Sequence, residues 1–119
     1  MKDSIIKTKS KAFAVRIVRL YKYLQDEKKE YVLSRQVLRS GTSIGANVHE
    51  AFFGLSRKDF AMKLQIALKE ACETEYWIEL LTETDYITRN DSESIMNDCQ
   101  ELARLLHASV KTAKNVIEE

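Results

Sequence analysis

Apolar residues recur along this chain at alternating steps of three and four, in four separate runs. The first run is Ile6, Phe13, Ile17, Leu20 and Leu24, with Ser10 filling the one polar slot. That spacing lines one face of a helix packed in a bundle and predicts a helix from about Ser4 to Gln25. Asp26-Glu27-Lys28-Lys29-Glu30 is a charged break and reads as a loop. A second helix follows from about Tyr31 to Phe53, with Gly54 placed to cap its C-terminus. Ser56-Arg57-Lys58-Asp59 is a near capping box that opens a third helix. Its stripe is Phe60, Leu64, Ala67, Ala71, Ile78 and Leu81, interrupted at Thr74, and it ends near Glu83. Thr84 to Arg89 reads as a short loop anchored by Tyr86 and Ile87. Asn90, with Glu93 three residues on, signals the fourth start; Ile95, Cys99, Leu102, Leu106, Ser109 and Ala113 then repeat at steps of four and three.

Four long amphipathic helices joined by short loops predict an all-α fold, an antiparallel up-down-up-down four-helix bundle. Composition agrees. The 119 residues include no proline and three glycines, so the punctuation that short strands need is missing. A chain 45% hydrophobic and 31% charged is too apolar for disorder and too polar for a membrane protein, and its length suits one domain over residues 1–119. The start lacks the apolar core of a signal peptide, and there is no apolar run long enough to span a bilayer. Cys72 and Cys99 sit inside helical patterns without paired-motif spacing, and read as free, buried, apolar thiols. The expectation is a cytoplasmic protein that needs no disulfide, metal or cofactor.

The formal charge of +1 hides an asymmetry. Residues 1–40 carry 11 basic and 4 acidic side chains, a net of +7. Residues 41–80 carry −2 and residues 81–119 carry −4. Lys7, Lys11, Arg16, Arg19 and Lys22 all lie off the Phe13/Ile17 stripe. Two readings stand: a solvated face answered by acidic neighbours, or a patch for a phosphate backbone or an acidic partner.

The segment Leu38-Arg39-Ser40-Gly41-Thr42-Ser43-Ile44-Gly45-Ala46-Asn47-Val48-His49-Glu50-Ala51 departs from an ordinary bundle helix, since seven of its fourteen residues are Gly, Ala, Ser or Thr. Each interior glycine costs a helix roughly 1 kcal/mol relative to alanine, so something should offset it. Gly41 and Gly45, four apart, clear one face for close approach of another backbone. A phosphate-binding loop is excluded, because no strand precedes and no Gly-Lys-Ser/Thr follows. Arg39, Asn47 and Glu50, with Glu73 and Glu75 from the third helix, read as a polar network in which a partly buried Arg39 guanidinium pairs across helices with Glu73.

This segment, followed by "SRKDFAMKLQIALKEACETEYWIELL" and preceded by "FAVRIVRLYKYL", resembles the bacterial four-helix bundle family named for the 23S rRNA intervening-sequence protein. The resemblance spans about residues 5–115. It carries over Arg39, Ser43, Ile44, Ala46, Asn47, Glu50 and Ala51 of the second helix, and Phe60, Glu73 and Glu75 of the third. It implies an antiparallel bundle that assembles as a homopentamer ring. Some members are encoded within an intervening sequence of the large rRNA gene. One relative is an accessory protein of retroelements that binds nucleic acid and a reverse transcriptase.

Catalytic chemistry finds little purchase. Neither His49 nor His107 has a glutamate three residues before it, as di-iron bundles require, and the two-histidine zinc motif is missing. Two histidines on separate helices support no Ser/His/Asp arrangement, so the chain is expected not to be an enzyme. Phe52, Phe53, Met62, Tyr76 and Trp77 add bulk that one core does not need, and fit either a wide core or a subunit interface. Two functions remain. One is an oligomeric module that binds RNA, DNA or a nucleic-acid enzyme through its basic first helix. The other is a protein-interaction scaffold, structural or regulatory, with no nucleic-acid role.

Overall fold

The computed structural model describes residues 2–118, and the side chains of residues 5–116. Its four helices are α1 (Lys2–Asp26), α2 (Leu33–Ala51), α3 (Arg57–Glu83) and α4 (Arg89–Glu118). No strand occurs among the described residues. Each helix packs on its chain neighbours and α1 closes the ring on α4, while α1 and α3, like α2 and α4, stand diagonally. The result is the expected all-α four-helix bundle, 50 Å long and about 20 Å across. The α1–α4 seam is the thinnest of the four.

The buried rows follow the sequence stripes closely. Ile6, Ser10, Phe13, Ile17 and Leu24 of α1 are buried, with Leu20 half-buried beside them. In α3 the row is Ala61, Leu64, Ala67, Ala71, Thr74, Ile78 and Leu81. Thr74 therefore continues the stripe, and Phe60 lies at its edge while Ala61 turns in. Thr74 Oγ1 lies 2.7 Å from the Glu70 carbonyl and 2.9 Å from Ser40 Oγ, both spans of hydrogen-bond length. A hydroxyl has one hydrogen, so Thr74 donates to the carbonyl and accepts from Ser40. A polar residue here is fully satisfied, which makes its burial tolerable. In α4 the row Ile95, Cys99, Leu102 and Leu106 ends on Val110, and Ser109 is only half-buried. A straight helix drifts against a strict 3.5-residue repeat, so the inward position slips by one after several turns.

The connections depart most from expectation. α2 starts at Leu33, two residues later than the expected start near Tyr31, because Glu30 intervenes. The Glu30 carboxylate accepts from the backbone N–H of Val32 (2.8 Å), Leu33 (3.1 Å) and Ser34 (2.9 Å). Ser34 Oγ donates back to the Glu30 carbonyl at 2.9 Å. Lys29, at φ 55°, turns the chain through the left-handed region to reach this arrangement. α4 is capped by Thr88, whose Oγ1 accepts from Asp91 N at 3.2 Å, and Asn90 already lies within the helix. The α3 end is a Schellman motif: Tyr86 N–H reaches the Leu81 carbonyl and Asp85 N–H the Thr82 carbonyl, with Asp85 at φ 67°. Gly54 does not adopt the left-handed cap conformation. A Cβ there would lie 2.6 Å from Asp59 Oδ2, the movable end of a side chain, and 3.2 Å from the Ala51 carbonyl oxygen. The capping residue at Ser56 is as read: its Oγ accepts from Asp59 N at 3.1 Å.

The thiols are both free, but only Cys99 is buried; Cys72 faces outward on α3. Burial, reinforced by the nearby Glu75 charge, pushes the Cys99 thiol up to about 12. No helix of the described residues is long and apolar enough to cross a membrane.

A candidate nucleic-acid interface on the first helix

Two small residues set where α1 sits. A Cβ on Gly41 would meet Ile17 Cγ1 at 2.7 Å, and one on Gly45 would meet the Ser10 carbonyl oxygen at 3.2 Å. Both glycines thus face α1, and at Gly45 the approach is to backbone. This close contact fixes the rotation of α1 and decides which way its cations point.

The cations point to different sides of the helix, and only some are paired. Toward α4, Lys9 pairs with Glu101 at 2.9 Å, and Arg16 pairs with Asp98 at 2.6 Å while also donating to Ser94. Toward α2, Lys7 Nζ sits 4.1 Å above the ring of Phe52, and Lys11 is one turn further along. Lys11, Lys22 and Arg19, the last lining a hollow on the α4 side with Asp91 and Ile95, are exposed and make no ion pair within 4.0 Å among the described residues. Acidic neighbours on α4 therefore answer part of the basic face, and part is left to solvent.

A groove of about 950 Å³ runs between α1 and α2. Ala14, Thr42, Gly45 and Ala46 leave it open, and Lys7, Lys11 and His49 stand along it. Phe52 and Phe53 close one end. Phe52 is half-buried and meets Phe60 edge-on at 5.3 Å, whereas Phe53 is 74% exposed, its ring 5.1 Å from that of His49. Glu50 also borders the groove, with its carboxylate 3.5 Å from Lys63 of α3.

The five residues read as one polar network are not one network. Arg39 does pair with Glu73 and, at 3.5 Å, with Glu70. Its guanidinium is exposed and not partly buried, because the small residues of α2 put it on the rim of the α2–α3 seam. Trp77 Nε1 donates to the same Glu73 carboxylate at 2.9 Å. That hydrogen bond, followed by the Arg39 charge, holds the Glu73 carboxyl below the usual carboxylate range. Asn47 stays on its own helix and donates to the Ser43 carbonyl at 2.8 Å. Glu50 faces Lys63, and Glu75 accepts from Gln100 of α4 at 3.5 Å. They are separated by the cylinder of α2 and the width of α3.

The bulky residues also separate. Trp77 and Phe52 pack against the core. Met62 and Tyr76 lie outward on α3, 55% and 56% exposed, in line with exposed Ile66 and Cys72. Leu55, beyond Phe53 in the α2–α3 connection, is fully exposed. His49 and His107 are exposed, and no group of three or more potential metal ligands forms among the described residues.

Residues 2–108 match the family model described as 23S rRNA-intervening sequence protein. Among solved structures, the chain is similar to a protein of unknown function from the S23 ribosomal protein family of Bacteroides thetaiotaomicron VPI-5482. The two share 61% identity with a TM-score of 0.92, over 93% of this chain and 99% of that one. A comparison with curated proteins finds no match.

Proposed function

Since the chain belongs to the 23S rRNA-intervening sequence protein family, we propose that it works without catalysis, as an oligomeric helical bundle that binds nucleic acid or a nucleic-acid enzyme through α1. One observation carries this reading: among the described residues the outward cations Lys11, Arg19 and Lys22 make no ion pair, while their neighbours Lys9 and Arg16 are tied to α4. Free cations on a rigid helix are available to phosphates, and each phosphate neutralised releases counterions. The homo-oligomer, a pentamer by family resemblance, is assembled in this reading through the outer face of α3, where Met62, Ile66 and Tyr76 are exposed. Such apolar, aromatic surface is typical of subunit contacts.

RNA and DNA binding measured across a salt series tests the proposal. Arg19→Glu with Lys22→Glu should weaken binding strongly and flatten its salt dependence. Absence of binding at low salt refutes it and favours the second reading, a protein scaffold whose charge asymmetry serves helix matching, as the Arg16–Asp98 and Lys9–Glu101 pairs already do. Light scattering tests assembly separately: a monomer at micromolar concentration refutes the oligomer.

A further inference from the structure

The groove between α1 and α2 combines features that a basic helix face alone does not require. We propose that it holds an unpaired stretch of nucleic acid, with a base stacked on Phe53 and adjacent phosphates on Lys7 and Lys11. The inference rests on the nucleic-acid reading above and adds to it a site and a strand preference.

Four observations converge. First, the Phe53 ring is 74% exposed and is braced on one side by His49, so a second face is free for a planar partner. Stacking on an aromatic side chain is how single strands are held without sequence preference. Second, Lys7 and Lys11 are one helical turn apart, about 6 Å along the axis. That separation is comparable to successive phosphates of an extended strand. Third, the groove is kept open by Ala14, Thr42, Gly45 and Ala46, residues without the bulk to fill it. Fourth, its charge is positive in effect. Among the described residues Glu50 is the one carboxylate lining it, and that carboxylate lies 3.5 Å from Lys63.

These features favour a single strand over a duplex. In a duplex the base planes are stacked inside and only their edges reach the grooves, so Phe53 would have nothing to stack on. They also favour nucleic acid over an acidic helical peptide, which would use the lysines and leave the exposed ring without a planar partner.

Fluorescence anisotropy of the 119-residue chain, with a labelled oligo-uridine and a duplex of equal length, tests this. The single strand should bind at least about tenfold more tightly than the duplex. Phe53→Ala should cost about tenfold or more for the single strand and leave the duplex unchanged. Lys7→Gln with Lys11→Gln should reduce the single-strand salt slope by about 1.4. Phe53 is exposed, so its variant should fold, and circular dichroism checks that. Equal binding of both forms, with Phe53→Ala silent, overturns the groove site and leaves the basic-face reading intact. Binding to neither overturns both. A change of assembly state on Phe53→Ala, or saturable binding of an acidic helical peptide in place of the single strand, also overturns the groove assignment.

Discussion

Gly41 of α2 lies directly against Ile17 of α1, so close that a Cβ on the glycine would fall 2.7 Å and 2.8 Å from the two γ-carbons of the isoleucine. Gly41→Ala gains about 1 kcal/mol of helix propensity but overpacks a fully buried site. Overpacking typically costs about 1–3 kcal/mol, so the variant should be net destabilised in chemical denaturation. Ile17→Ala removes both γ-carbons, so in that background Gly41→Ala should no longer be destabilising, and the double variant should lose less than the two single changes summed. A variant as stable as the parent would show that α1 can move away without penalty.

Ser40 and Thr74 form a hydroxyl pair that joins α2 to α3 inside the core. Thr74→Val leaves the Ser40 hydroxyl without that acceptor and should cost about 1–3 kcal/mol. Adding Ser40→Ala should cost less than the two changes summed, because the orphaned group is then gone. Additive effects in urea denaturation would mean the pair is not coupled.

Glu30 supplies the N-terminal cap of α2 from outside the helix. Replacing it with alanine removes the acceptor for three backbone N–H groups. The expected cost is about 1–2 kcal/mol, with Glu30→Gln in between because its carbonyl can still accept. A loss confined to this end of the bundle should appear as faster amide exchange at Val32 to Ser34.

Glu73 gives stability a pH dependence of known sign. Its carboxyl is held low by Trp77 and Arg39, so the folded state binds fewer protons than the unfolded chain as the group titrates. Its contribution is therefore present above the ordinary carboxylate range and is lost as pH falls through the folded value. Glu73→Gln should flatten the acid limb of the stability curve, with little change from pH 7 to 8 in its slope. Arg39 is exposed, so Arg39→Ala should cost less than about 1 kcal/mol at neutral pH.

The two thiols should differ sharply toward a thiol reagent at pH 8. Cys72 faces solvent and should react in the native state. Cys99 is buried, its thiol is pushed up to about 12, and it should react only on unfolding. Equal native rates would place Cys99 at the surface.

The helices were legible because burial follows a period that apolar residues record directly: Phe13, Ile17, Leu64 and Leu106 lie where their spacing puts them. The helix ends were less legible. Caps depend on one side chain reaching a few backbone groups, and Glu30 does so from within a charged run that reads as solvated loop. The cross-helix partner of Arg39 could be read from the matching register of α2 and α3, but its exposure could not. Exposure depends on the rotation of α2, which Gly41 and Gly45 set against α1. Thr74 looked like a break because its partner, Ser40, lies on another helix. The groove left no trace in any stripe. It arises from residues that are small on one helix and cationic on the next, and only the crossing brings them together.

The thin α1–α4 seam makes α1 the wall of the bundle with the least holding it on one side. Partial opening should begin there, ahead of the broad α2–α3 and α3–α4 contacts, as native-state exchange can resolve. Anything that grips α1 from outside would then act as a splint, slowing that opening even at residues it never touches. Occupancy of the first helix would be reported by the fourth.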